Sequence, residues 1–272
     1  MEDGKISRLL PRLITHARRN YLVDWNKKLA LSRKEEINGH KPQNVARPHI
    51  YILNLRRTRA RALEVERQLS TEKVPYTLFA AVDGAEKFDD LELATFAGRR
   101  RKQLFALDLR RRMTFDLNLS TARNDRLFHE RMRFGCYLTH VRVWKELLYR
   151  SFPHILVLED DVVLAENFLT TLVQLRGKLP SSWDLLYLNS GYTQVAGQVR
   201  PGILQVKGAL GTYAYLISPS GAKKLVEDVA LSSDAPIDHV LDKGIYTGKL
   251  SAFQTDPPLA FHEDRSLSTL GY

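Results

Sequence analysis

Three consecutive carboxylates, Glu159, Asp160 and Asp161, follow directly on the apolar run Ile155-Leu156-Val157-Leu158, within the stretch HILVLEDDVV. A short unbroken run rich in β-branched residues reads as a strand buried on both faces. Carboxylates at the end of such a strand do not serve the core, because an unpaired buried charge is very costly. They suit the mouth of a cleft, above all where a cation compensates them. In extended backbone Glu159 and Asp161 project to one side and Asp160 to the other. The spacing therefore predicts that Glu159 and Asp161 share one divalent metal, and that metal can hold a diphosphate. The plain alternative is an acidic strand-to-loop turn with no ligand. A second pair, Cys136 and His140, lies four apart on one helix face. Two ligands are too few for a structural zinc site, so packing is the reading for that pair.

The elements that must position these groups begin after Pro48. His49–Leu55 (HIYILNL) reads as a buried strand. Thr58–Leu69 has helical spacing, with Ala62, Leu63, Glu66 and Leu69 on its inward face. Val74–Val82 reads as a second strand, ended by an Asp83-Gly84 turn. Strand, helix and strand with short connections make a βαβ unit and predict a parallel sheet. Tyr137–Ser151 is a helix with Tyr137, Val141, Trp144 and Leu148 on one stripe, and it leads into the strand Ile155–Leu158. Asn167–Leu179 is a helix stopped by Pro180. Asp184–Asn189, Ile203–Val206 and Thr212–Ile217 read as strands, the last two around a Gly208–Gly211 turn. Ser218 is an expected N-cap, with Pro219 at the first position of a helix running to about Val229. Residues 86–133 are polar and Arg-rich, and fit either short helices or a mobile insert.

A parallel α/β sheet binds ligands beyond the carboxyl ends of its strands. Three clusters fall at such ends: Asn54-Leu55-Arg56-Arg57, Val82-Asp83-Gly84 and Glu159-Asp160-Asp161. One pocket lined by all three can hold a nucleotide. Asp83 is placed for a ribose or uracil hydrogen bond, Arg56 or Arg57 for phosphate, and the acidic cluster for the metal. The chain has no GxGxxG and no GxxxxGK[ST], which argues against a dinucleotide fold and a P-loop ATPase.

The chain has 272 residues, enough for one large domain or a domain with an appendage. Its single cysteine excludes a disulfide framework within the chain and suits a reducing cytoplasm. No apolar stretch approaches the roughly 18 residues of a membrane span, and the opening MEDGKISRLLPRL lacks the apolar core of a secretory signal. The net charge of +10 is concentrated: residues 1–47 carry +6 and residues 98–133 carry +7. Localised basic charge attracts polyanions, whether nucleic acid, anionic lipid headgroups or phosphorylated glycans. Against nucleic acid, residues 98–133 offer only Phe105, Phe115 and Phe128 as aromatic platforms. An inactive, membrane-peripheral scaffold is a further alternative.

Several motifs stand in a fixed order. They are IYILNLRRTRAR, AAVDG at Ala80–Gly84, FGCYLTHVRVW at Phe134–Trp144 and ILVLEDDVVL at Ile155–Leu164. SWDLLYLN, GTYAYLISPSGAKKL, PIDHVL and the closing PPLAFH at Pro257–His262, with Ser266-Leu267 after it, complete the series. From about Ile50 onward this order resembles glycosyltransferase family 25, the lipopolysaccharide biosynthesis glycosyltransferases related to collagen galactosyltransferases. The resemblance implies an α/β, GT-A-like domain over 48–272, with a mainly parallel central sheet flanked by helices. Residues 1–47 are then a basic N-terminal extension and 98–133 an Arg-rich insert.

The resemblance further implies an inverting transfer of galactose or glucose from a UDP-sugar to a glycan, the lipopolysaccharide core or a lipooligosaccharide. A divalent cation, Mn²⁺ or Mg²⁺, would stabilise the leaving diphosphate as a Lewis acid. Glu159 and Asp161 are its expected ligands, with His262 a further one from the C-terminal segment. Asp160 joins Asn54, Arg56, Arg57, Asp83 and Gly84 in the donor-binding set. Gly211 and Thr212 permit close backbone approach to the sugar. Asp238, in Pro236-Ile237-Asp238-His239, is the expected general base, its plain alternative being a helix N-terminal Asp favoured by the dipole. The basic segments would hold a cytoplasmic enzyme on an anionic membrane face that carries a lipid-linked or phosphorylated acceptor. Two departures from the family pattern, Met132-Arg133-Phe134 before Gly135-Cys136 and Ala60 in the opening motif, bear on the acceptor rather than on the reaction class.

Overall fold

A computed structural model of the chain describes residues 47–85, 121–189, 191–229 and 235–262, with 121–128 and 130 as backbone alone. The N-terminal extension up to residue 46 and residues 86–120 of the Arg-rich region lie outside the described residues.

Strand β1 (His49–Asn54) has its apolar residues Ile50–Leu53 buried. It pairs in parallel with β2 (Thr77–Ala80) on one side and with β3 (Ile155–Glu159) on the other. The register sets Leu53 opposite Glu159 and Asn54 opposite Ala80. Three strand ends therefore share one edge, as the βαβ reading requires. Between β1 and β2 the expected single helix is split. A tight 3₁₀ segment over Arg56–Ala62, kinked at Thr58, precedes α1 (Leu63–Thr71). The kink rotates Leu63 outward, so that Ala62, Val65, Glu66 and Leu69 face inward instead.

The sheet is mixed rather than mainly parallel. Its order is β2-β1-β3-β8-β5-β9-β7-β6, with β5 at Leu185–Tyr187, β6 at Thr193–Arg200, β7 at Ile203–Ala209, β8 at Ala214–Ile217 and β9 at Ala252–Thr255. β8 is inserted antiparallel between β3 and β5, and β7 runs antiparallel to both β9 and β6. The reason lies in the burial of β8, all four of whose residues are buried. A strand buried on both faces reads the same in either direction, so its apolar run carries no record of its orientation.

Helix α2 spans Thr121–Arg150, thirty residues, and is longer than the expected helix over Tyr137–Ser151, whose apolar spacing marks only its second half. Tyr137, Val141 and Trp144 pack with Val157, Tyr187 and Tyr215 in the core. Helix α3 (Phe168–Arg176) follows β4 (Val162–Leu164). Ser218 caps α4 (Pro219–Lys224) as expected, its Oγ accepting from Gly221 N at 3.0 Å, and a wider turn carries the helix on to Val229. Helix α5 covers Ile237–Tyr246. β10 (Ala260–His262) pairs antiparallel with β4, setting His262 opposite Val162. That small ribbon brings the C-terminal segment up to the acidic turn. Among the described residues no helix is long and apolar enough to cross a membrane.

Candidate active site

The acidic tripeptide divides at the end of β3. Glu159 is the last residue of the strand, and its N–H donates to Tyr213 O at 2.8 Å. The chain then turns at Asp160-Asp161 before resuming as β4. Alternation of side chains holds only while the backbone stays extended, so the expected common side for Glu159 and Asp161 is not observed. Asp160 and Asp161 turn together onto Arg61. Its Nε lies 3.0 Å from Asp160 Oδ1, and its second terminal nitrogen lies 2.6 Å from Asp161 Oδ2. Asn54, at the end of β1, donates from Nδ2 to Asp160 Oδ2 at 2.7 Å and to Thr58 O at 3.1 Å. His262 Nε2 lies 3.2 Å from Asp161 Oδ2.

These partners decide the electrostatics. Burial pushes the Asp160 carboxyl above the usual carboxylate range, and the Arg61 charge and the Asn54 hydrogen bond offset this only in part. Burial acts in the same sense on Asp161, but the hydrogen bond from His262 and the His262 and Arg61 charges outweigh it, and that carboxyl lies below its ordinary value. Asp161 Oδ1 is buried and has no hydrogen-bond partner among the described residues. A buried carboxylate oxygen left over beside an imidazole is a fitting donor for the divalent cation that the motif implies.

Glu159 has different company. Thr212 Oγ1 donates to Glu159 Oε1 at 3.0 Å, and His140 Nε2 stands 3.7 Å from the same oxygen. Thr212 is presented by Gly211, which takes φ +91°, a conformation open to glycine, and whose carbonyl accepts from Asn189 Nδ2 at 2.9 Å. His140 is fully buried on α2. Its Nδ1 lies 2.8 Å from Tyr215 Oη, which also accepts from Trp144 Nε1 at 3.0 Å. Cys136, one turn earlier, completes a group with His140 and Glu159 in which one ligand atom from each lies within 4.8 Å of the others. Burial pushes the Cys136 thiol well up, and the Glu159 and Asp238 carboxylates add to it. The field of Asp238 thus reaches this cluster from the first turn of α5, where its Oδ1 accepts from His239 N at 2.9 Å.

The remaining expected donor residues sit along the same edge. Arg57 Nε pairs with Asp83 Oδ2 at 2.6 Å, and Asp83 Oδ1 accepts from Ala85 N. Arg56 is exposed and makes no ion pair among the described residues. Gly84 has a packing reason: a Cβ there would stand 2.2 Å from Arg131 O, while Arg131 Nε donates to Gly84 O. Gly135 meets it from the helix side, where a Cβ would fall 2.5 Å from Val82 O. Sequence reasoning missed Arg61, since nothing local separates it from Arg56, Arg57 and Arg59. It saw the four-residue spacing of Cys136 and His140 but not the third member, Glu159, which arrives from a strand.

The chain resembles proteins of known naming. The inactive glycosyltransferase 25 family member 3 of Mus musculus is 33% identical over 114 residues, which is 39% of this chain and 19% of that protein. Procollagen galactosyltransferase 2 of Homo sapiens is 25% identical over 240 residues, covering 81% of this chain and 36% of that protein. A glycosyltransferase 25 family member of Aedes aegypti is 26% identical over 222 residues, or 78% of this chain and 34% of that protein. The chain thus spans about a fifth to about a third of the length of these relatives. A family model described as glycosyltransferase family 25 (LPS biosynthesis protein) matches residues 47–241. That match takes in β1, the acidic turn and the Thr212 segment alike, and the chain belongs to glycosyltransferase family 25.

Proposed function

We propose that the chain transfers a hexose, galactose or glucose, from a UDP-sugar to a glycan acceptor with inversion, the acceptor being the lipopolysaccharide core or a lipooligosaccharide. The observation that carries this reading is the meeting of three chain segments on one acidic turn. Asn54 bonds Asp160, Thr212 bonds Glu159 and His262 pairs with Asp161. A relative named procollagen galactosyltransferase supports hexose as the transferred unit.

A divalent cation bound here would supply Lewis-acid stabilisation of the leaving diphosphate. Glu159, Asp161 and His262 are the residues that would hold it, a donor set suited to Mn²⁺ and, through its oxygens, to Mg²⁺. Arg61 and Asn54 keep Asp160 and Asp161 oriented before any ligand enters, which lowers the ordering cost of binding. Arg56 reaches for phosphate from solvent, and the Arg57–Asp83 pair with Gly84 borders the nucleotide. Gly211 and Thr212 let the sugar approach the backbone. Asp238 takes the acceptor hydroxyl proton on the face opposite the leaving group. The basic segments 1–47 and 98–133 hold the enzyme on the cytoplasmic membrane face, where each basic residue near an anionic leaflet contributes on the order of 1 kcal/mol. Co-sedimentation with anionic liposomes that ignores salt would contradict that attachment.

The deciding experiment is transfer and donor hydrolysis across a panel of nucleotide sugars, with and without EDTA and Mn²⁺. Activity should require the metal and vanish in Glu159→Ala. Asp238→Asn should still bind UDP but turn over about 10²- to 10⁴-fold more slowly. Relatives named as inactive align with 39% of this chain, which favours a second reading as a binding protein without turnover. UDP binding with no turnover on any donor would decide for it.

A further inference from the structure

We propose that Cys136, His140 and Glu159 form a site for a thiophilic divalent cation of the Zn²⁺ or Co²⁺ class. It shares Glu159 with the cation site proposed above, but takes its other two donors, a sulfur and an imidazole, from α2 rather than from Asp161 and His262. It goes beyond the transferase reading, since it needs no sugar donor and its donor set favours a different kind of ion.

Three independent features meet there. Helix α2 carries Cys136 and His140 one turn apart on one face, and β3 delivers Glu159 to them, so that a sulfur, a nitrogen and an oxygen lie within 4.8 Å of one another. His140 Nε2 is fully buried and has no hydrogen-bond partner among the described residues. It faces Glu159 Oε1 at 3.7 Å, beyond hydrogen-bond reach. A buried polar atom left unsatisfied is costly, and a cation between the two removes that cost. The other ring nitrogen is already held. Tyr215 Oη stands 2.8 Å from Nδ1 and is itself fixed by Trp144 Nε1, the kind of outer contact that orients a metal-binding imidazole.

The distances suit a small tetrahedral ion. Ligand atoms about 2.0–2.3 Å from zinc stand roughly 3.3–3.7 Å apart, so the His140–Glu159 separation already fits and Cys136 needs only a small side-chain adjustment. A thiolate and an imidazole favour Zn²⁺ over Mg²⁺. On binding, the Cys136 S–H proton leaves to solvent as the sulfur–metal bond forms, releasing one proton per ion. Three protein ligands leave a position for water.

The test titrates the full chain with Co²⁺ alone, without donor. One equivalent should give the near-ultraviolet charge-transfer absorption of a cobalt–thiolate bond, and Zn²⁺ should displace it. Cys136→Ser should abolish the band. His140→Asn keeps a polar partner near Tyr215 Oη but lacks Nε2. It should weaken binding by more than about tenfold, since even the outer partners of a ligand are worth ten- to a hundredfold. Asp161→Ala should leave the band intact, and its loss there would assign the ion to the oxygen-rich turn and overturn the proposal. The wild-type protein decides alone if a variant does not fold. Cys136 is the single cysteine of the chain, so stoichiometric Co²⁺ must slow its alkylation. Cobalt binding without the charge-transfer band, or alkylation untouched by saturating Co²⁺, overturns the site.

Discussion

Asp160 and Asp161 lie beside Glu159 in the chain, yet the two sides of this turn are built differently. On one side a guanidinium spans both aspartates, and Asn54 and His262 add hydrogen-bonding groups. On the other, Glu159 meets a hydroxyl and an imidazole whose near nitrogen has no hydrogen-bond partner among the described residues. The first side carries its own cation. The second has no guanidinium among the described residues, only the Thr212 hydroxyl and the His140 ring. Adjacent carboxylates can thus hold opposite roles, because what compensates a charge is set by contacts from distant elements rather than by its neighbours in sequence.

The largest test of this contrast removes the internal cation. Arg61→Met leaves two largely buried carboxylates without their guanidinium, and breaking such a pair costs about 3 kcal/mol or more. Denaturant unfolding should show that loss, and adding Asp160→Asn in the same chain should recover part of it. If Arg61→Met unfolds like the wild type, the guanidinium does not hold the turn together.

An intermediate effect is expected from the helix that bears Cys136 and His140. Gly135→Ala drives a Cβ to within 2.5 Å of Val82 O, a backbone atom that cannot swing aside. Overpacking of this kind typically costs about 1–3 kcal/mol. It should also shift His140 relative to Glu159, visible as an altered imidazole resonance, while the Arg61 side is little disturbed. Equal disturbance of both sides would show that they are mechanically one unit.

The smallest change belongs to the hydroxyl on Glu159. Thr212→Val keeps the shape of the side chain but removes the 3.0 Å hydrogen bond to Oε1. A loss of about 1 kcal/mol in stability is expected by thermal unfolding. A loss near that of Arg61→Met would mean that Glu159, like its neighbours, depends on its partner to remain folded.

Much of the frame was legible because burial leaves a local trace. The apolar runs at Ile50–Leu53 and Ile155–Leu158 gave two parallel strands whose ends meet, and Ser218 with Pro219 gave a helix start whose cap is observed. β6 left no such trace, since it is an edge strand with most of its residues exposed and no alternation to read. The first half of α2 was hidden for a related reason, its residues being dominated by Arg and polar groups rather than an apolar stripe.

By itself the sequence determined that three carboxylates stand at the carboxyl end of a buried strand, and that the chain carries the motifs of its family. Periodicity encodes which residues are buried, and a strand interior cannot hold that charge. Only the tertiary structure decided how the carboxylates are shared. The Arg61–Asp161 contact spans a hundred residues and the Thr212–Glu159 contact spans 53. Which of several arginines arrives, and whether Glu159 faces an aspartate or a histidine, depends on the kink at Thr58, on the turn after Glu159 and on β8 inserting antiparallel beside β3. Local patterns carry no record of such long-range pairings, because every arginine in RRTRAR looks alike until the backbone aims one of them.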